Sequence, residues 1–184
     1  MNHHDMTRNM VLAALFAALT AIGAFLQIPT GTVPITLQFL FTALAGLLLG
    51  WKWGAISQLL YVGIGLLSLP VFTQGGGIGY VLQPSFGFLL GLIPAAAVIG
   101  AMTARRTGYL TVLAAVLVGD LILYAVGVPY MYLILHVYMQ SAKTFPALLA
   151  AMLVYVPGDT LKIVVVTALA PVLRRTLAKA VPNL

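Results

Sequence analysis

Residues 109–128 read YLTVLAAVLVGDLILYAVGV, an apolar run interrupted by a single charge, Asp120. A helix rises about 1.5 Å per residue, so this run reaches roughly 30 Å, the thickness of a bilayer's hydrocarbon core. It is one of several. Outward from it, apolar runs cover about 8–28, 36–50, 54–68, 85–103 and 147–173. Their apolar residues are continuous rather than alternating, which argues against a membrane β-barrel. The expected fold is all-α: an integral membrane bundle of six helices, a single transmembrane domain over residues 1–184.

The rest of the chain agrees. Of its 184 residues, 62% are hydrophobic and 7% charged, against roughly 25% charged in a soluble domain. Lipid must face much of such a surface. The net charge is +6, yet the basic residues stand singly or in pairs at the ends of the apolar runs. That is a topology signal, not a nucleic-acid surface. With six spans, Arg8, Lys52, Arg105, Arg106, Arg174, Arg175 and Lys179 share one side and Lys143 stands alone on the other. Both termini are therefore expected in the cytoplasm of a bacterial plasma membrane, with the segments 69–84 and 129–146 outside. The first run lacks a small-x-small cleavage site and reads as a retained helix. There is no cysteine, which excludes disulfides, thiolate catalysis and cysteine-held metals. His3-His4 and the lone His136 offer no ligand set, so neither metal nor cofactor is expected.

Three ionisable residues lie within the apolar runs: Asp120, Asp159 and Lys162. A charge inside the membrane is costly unless paired, so each is a candidate for function. Asp159 and Lys162 are three apart, on one face of a helix. Measured from Arg174 and Arg106, all three lie roughly 18–22 Å from the inner boundary at about 1.5 Å per residue. Convergence on one pocket open to the outside is the expectation. Pro157-Gly158 just before the pair predicts a broken or kinked helix lining a cavity.

The glycine-rich stretch Thr73-Gln-Gly-Gly-Gly-Ile-Gly-Tyr80 lacks the G-x-x-x-x-G-K-[ST] pattern and the strand–turn–helix context of a nucleotide site. A flexible lid is the better reading. Tyr80 and Gln83 join Asp159, Lys162 and Asp120 as substrate-binding candidates. In the first run, Ala13, Ala17 and Ala21 repeat every four residues, with Ala14 and Ala18 beside them. Such small faces let helices approach closely, and Ala13, Ala17 and Ala21 are assigned to docking another subunit.

Three stretches together resemble the BioY family, the biotin-binding membrane subunits (S components) of energy-coupling factor (ECF) transporters. They are Val33-Pro-Ile-Thr-Leu-Gln38 followed by Ala45-Gly-Leu-Leu-Leu-Gly50; Leu69-Pro-Val-Phe72 followed by Gly87-Phe-Leu-Leu-Gly91; and Pro157-Gly-Asp-Thr-Leu-Lys162. The resemblance covers roughly residues 10–177. It implies a six-helix bundle that captures biotin under its outer loops, with Asp159 and Lys162 in the pocket. It also implies partners: a transmembrane coupling subunit and two ATPase subunits. The chain departs at Gln83-Pro-Ser-Phe-Gly87, where the family has a Gly-Pro-Thr-Gly-Gly-like turn; bulkier Gln83 and Phe86 are expected to alter the pocket's mouth. Two other readings stand beside this one: capture of another water-soluble vitamin, or a small intramembrane enzyme using Asp159 and Lys162 as acid and base. No H-E-x-x-H or G-x-S-x-G pattern supports the enzyme.

Overall fold

The computed structural model describes residues 3–30, 33–106 and 108–180. Helices dominate: α1 (His3–Phe25), α2 (Gln38–Leu66), α3 (Phe86–Met102), α4 (Tyr109–Leu133), a short α5 (Phe145–Ala151) and α6 (Val156–Ala180). Two short strands, β1 (Gln27–Ile28) and β2 (Ile35–Thr36), pair antiparallel between α1 and α2. The side chain of Lys179, one of the topology markers, lies outside the described residues.

The length of α2 hides a hairpin. At Gly50 the backbone turns through φ 77°, ψ 178°, inside what is otherwise helix. Only glycine adopts such an angle without a steric cost. The arms 38–49 and 51–66 then lie antiparallel, as their cross-contacts show. Gln38 donates to Tyr61 at 2.8 Å, and Thr42 donates to Gln58 at 2.9 Å. Nearer the turn, a Cβ added to Gly54 would sit 2.8 Å from the Cα of Gly46. The turn is thus Gly50 itself, and residues 51–53, which fall between the apolar runs 36–50 and 54–68, are already helical. With the arms counted separately, α1, the two arms, α3, α4 and α6 make the expected six-helix bundle.

Polar groups fasten the bundle at two levels. Inside it, Gln58 is fully buried; it accepts from Thr42, donates to Ser57 at 2.9 Å and lies 3.3 Å from Thr20 of α1. Interhelical hydrogen bonds of this kind hold helices together where lipid removes the hydrophobic drive. At the Gly50 end, Arg174 of α6 donates to the carbonyls of Leu47 at 2.7 Å and Thr103 at 3.3 Å. It satisfies helix-end carbonyls that would otherwise lack partners, so it is a staple as well as a topology marker.

Two boundaries differ from the sequence reading. The run expected as one span over 147–173 is divided: α5 ends at Ala151, a 3-10 turn covers Met152–Val154, and α6 begins at Val156. Pro157 therefore stands in the first turn of α6, where its missing N–H costs nothing, rather than kinking a continuous helix. Conversely, α4 runs through Pro129 to Leu133 and continues as a π turn over Ile134–Tyr138.

The glycine-rich stretch is anchored. Phe72 and Tyr80 are buried, their rings 4.6 Å apart, and Phe72 also meets Tyr61. The N–H of Gly77 bonds the Gly65 carbonyl at 2.7 Å, and Gly75 pairs with Phe72. Gly75 and Gly77 take positive φ, 108° and 98°. Here glycine supplies tight turns between two aromatic anchors, and the segment caps the bundle from Phe72 to Tyr80.

Candidate functional site

Asp159 falls in the first turn of α6, where the unpaired N–H groups of the helix start favour a negative charge. Lys162 follows one turn later on the same face. Its ammonium lies 2.5 Å from the Asp159 carboxylate, and both residues are buried, 6% and 7% exposed. Two other helices complete the arrangement. Tyr124 of α4 donates its hydroxyl to the second Asp159 oxygen. Lys162 also donates to the backbone carbonyl of Thr36 at 3.3 Å, just ahead of α2. A relay continues from there: Thr36 donates to Gln38 at 2.8 Å, Gln38 to Tyr61, and Tyr61 to the Val71 carbonyl of the cap at 3.1 Å. The buried charges are thus paired and hydrogen-bonded, as burial requires.

These groups line a cavity that opens to one side of the bundle. Its apolar walls include Phe39, Phe88, Leu89, Leu92 and Leu123. Phe88 meets Tyr124 edge to face at 6.0 Å. Thr73 and Tyr80 close it from the cap, their hydroxyls 2.9 Å apart. Tyr155 and Met152 stand at the start of α6, and the Tyr155 hydroxyl donates to the Val33 carbonyl.

The structure therefore brings Asp159, Lys162 and Tyr80 into one wall. It leaves out two of the expected residues. Gln83 is not among the lining residues; its N–H closes a backbone turn on the Tyr80 carbonyl at 2.9 Å. Asp120 sits close enough to Asp159 and Lys162 to interact electrostatically, yet does not line the cavity, and its buried Oδ1 lacks a hydrogen-bond partner. On α4 it is Tyr124, one turn beyond Asp120, whose hydroxyl meets the pair. Phe86 does not shape the mouth. It is 4% exposed and packs between Tyr80 and Tyr130.

The docking stripe needs correction too. Ala13 and Ala17 are 2% and 4% exposed, packed into the bundle, and Ala21 is partly buried. The outward small residues of α1 are Ala14 and Ala18, framed by exposed Val11, Leu15 and Ile22.

A helical membrane bundle whose cavity holds a buried ion pair is built as a binding component for a small solute. The chain belongs to the BioY family, whose model matches residues 1–179. It is 54% identical over 141 residues to a "Probable biotin transporter BioY" of Lysinibacillus sphaericus, covering 76% of this chain and 72% of that protein. It is 34% identical to the "Biotin transporter BioY" of Thermotoga maritima, covering 89% and 94%. Among solved structures, the S-component for biotin from an ECF-type ABC transporter superposes with a TM-score of 0.83 over 95% of both chains, at 29% identity.

Proposed function

We propose that this chain is the biotin-capturing S component of an ECF transporter and binds its ligand between Asp159 and Lys162. It acts as a transport subunit, not as an enzyme. The observation that carries the reading is the buried Asp159–Lys162 pair, net neutral, in a cavity whose walls are largely apolar and whose other polar groups carry no charge. Biotin's ureido head is uncharged and offers two N–H donors and one carbonyl. An ionised aspartate only accepts, and an ammonium has three donors. Asp159 and Thr36 engage two of the Lys162 donors, which leaves one for the ureido carbonyl. Inserting the head keeps the site neutral. Inserting biotin's carboxylate instead would bury a net charge, which is costly.

The positive-inside distribution supports a plasma-membrane orientation with both termini in the cytoplasm and the cavity opening outward. ATP-driven movement then comes from partners, a transmembrane coupling subunit with two ATPase subunits, because this sequence has no nucleotide motif of its own. Native mass spectrometry of the detergent-purified chain against a panel of water-soluble vitamins tests the function. Biotin is expected to be retained and released with its mass unchanged. Retention of a different vitamin, or a chemically altered ligand, would favour the two competing readings respectively.

For the coupling subunit, the exposed Ala14 and Ala18 suit a partner helix, since small residues admit close approach. Ala18→Trp is expected to abolish co-purification with the coupling subunit while biotin binding stays within about twofold, because the change faces away from the core. Ala17→Trp is expected to destabilise the chain itself, by the roughly 1–3 kcal/mol or more of an overpacked core. Intact assembly in the Ala18→Trp variant would remove this face from the docking surface.

A further inference from the structure

We propose that a hollow adjoining the cavity, around Lys143, is a second subsite that takes a carboxylate, the anionic end of the ligand whose uncharged head lies at Asp159 and Lys162. The inference rests on the biotin reading above. Next to the ligand cavity lies a second hollow, bordered by Thr30, Met131, Lys143, Leu148, Met152 and Tyr155. Met152 and Tyr155 belong to the walls of both. They form the partition, and Tyr155 is held there by its bond to Val33 and by Thr30, 3.0 Å away. Along the chain, Met152 precedes Asp159 by seven positions, across the 3-10 turn and the first turn of α6. A bicyclic head at Asp159 with a flexible alkyl acid attached would carry its carboxylate past this partition.

Charge singles out Lys143. The chain has only three acidic residues. Asp5 pairs with Arg8 and Asp159 with Lys162, and Asp120 lies beside the latter pair in α4. Among the described residues, Lys143 is paired with no carboxylate. It is also the one basic residue besides Lys162 that borders either hollow. The other direction out of the cavity is less suitable. A third hollow shares Lys162 and Thr36 but is otherwise walled by residues such as Leu26, Ile28, Leu40, Leu161 and Val165, and offers an anion no additional donor of charge. Lys143 is exposed, so it remains hydrated. Its role is to steer and position the acid, as rim charges do, with an effect that salt screens.

The test compares biotin with biotin amide, which lacks the negative charge, on the wild-type chain and on Lys143→Met and Lys143→Arg. The wild type is expected to prefer biotin by roughly two- to fivefold at low salt, the range of an exposed ion pair. That preference should shrink as salt is raised. Lys143→Met is expected to erase it through a slower association with biotin, and Lys143→Arg to keep it. An unchanged preference in Lys143→Met, or equal weakening of both ligands, would overturn the subsite while leaving biotin as the ligand. Failure of the wild type to bind either ligand would instead overturn the biotin reading, and the subsite with it.

Discussion

Replacing Lys162 by alanine is expected to weaken biotin binding by a hundredfold or more, and to weaken biotin amide equally. Asp159 would keep its bond from Tyr124 but lose the cation 2.5 Å away. Stranding one member of a buried pair costs roughly 3–5 kcal/mol, and about 1.4 kcal/mol is a factor of ten in affinity. The Thr36 carbonyl would also lose its donor from α6, loosening the wall where β2 meets α2. Titration calorimetry on both ligands reads the effect, and thermal unfolding in detergent checks that the variant remains folded. Equal losses place Lys162 on the ureido head. A loss confined to biotin would move Lys162 to the carboxylate. The contrast with Lys143 is sharp: that residue should affect the charged ligand only, and weakly.

Gly54→Leu is expected to be the most damaging change away from the site. The glycine faces backbone rather than pliable side chain: an added Cβ would lie 2.8 Å from Gly46 Cα and 3.0 Å from Gly46 N. Neither arm can yield without separating, and Gly46 is itself pressed against α3 at Ala96. One forced methylene in a packed interior already costs roughly 1–3 kcal/mol, and leucine adds several. Separation would also pull Thr42 from Gln58 and Gln38 from Tyr61, dismantling the polar relay under the cap. Loss of folded, monodisperse protein is the expected readout. Gly63→Ala is the control in the same arm. Nothing lies within 4 Å of its added Cβ, and exchanging a helical glycine for alanine gains roughly 0.5–1 kcal/mol. If both variants behave alike, close approach at Gly46–Gly54 does not hold the hairpin.

Sequence reading succeeded where the membrane imposes a rule. Hydrocarbon tolerates no unpaired backbone, so apolar length translates directly into helices, and charge is so expensive there that Asp159 and Lys162 stand out at once. It failed where the answer depends on rotation. In α1, the stripes Ala13–Ala17 and Ala14–Ala18 are adjacent, and lipid is as apolar as the core, so no polarity contrast says which one faces inward. The same ambiguity let Asp120 stand for Tyr124: distance along α4 fixed the height of the site but not the side chain pointing at it. Gly50 was missed as the turn because a positive φ is a backbone property, whereas Trp51-Lys-Trp53 carries the visible signature of an interface. Phe72 and Tyr80, whose rings anchor the two ends of the glycine-rich cap, sit among apolar neighbours and gave no signal of that contact in the sequence. Thr36 contributes a backbone carbonyl, to which any residue type is silent.

The central claim is that the neutral Asp159–Lys162 pair grips the ureido head of biotin. It is tested most directly by the affinity of the purified chain for an analogue methylated on both ureido nitrogens, measured beside biotin itself. The analogue keeps the carboxylate and the ring system but has no N–H to give Asp159. Hydrogen bonds to charged groups are worth about 1.5–3 kcal/mol each, so binding is predicted to fall by at least roughly tenfold. An analogue that binds as tightly as biotin would contradict the assignment.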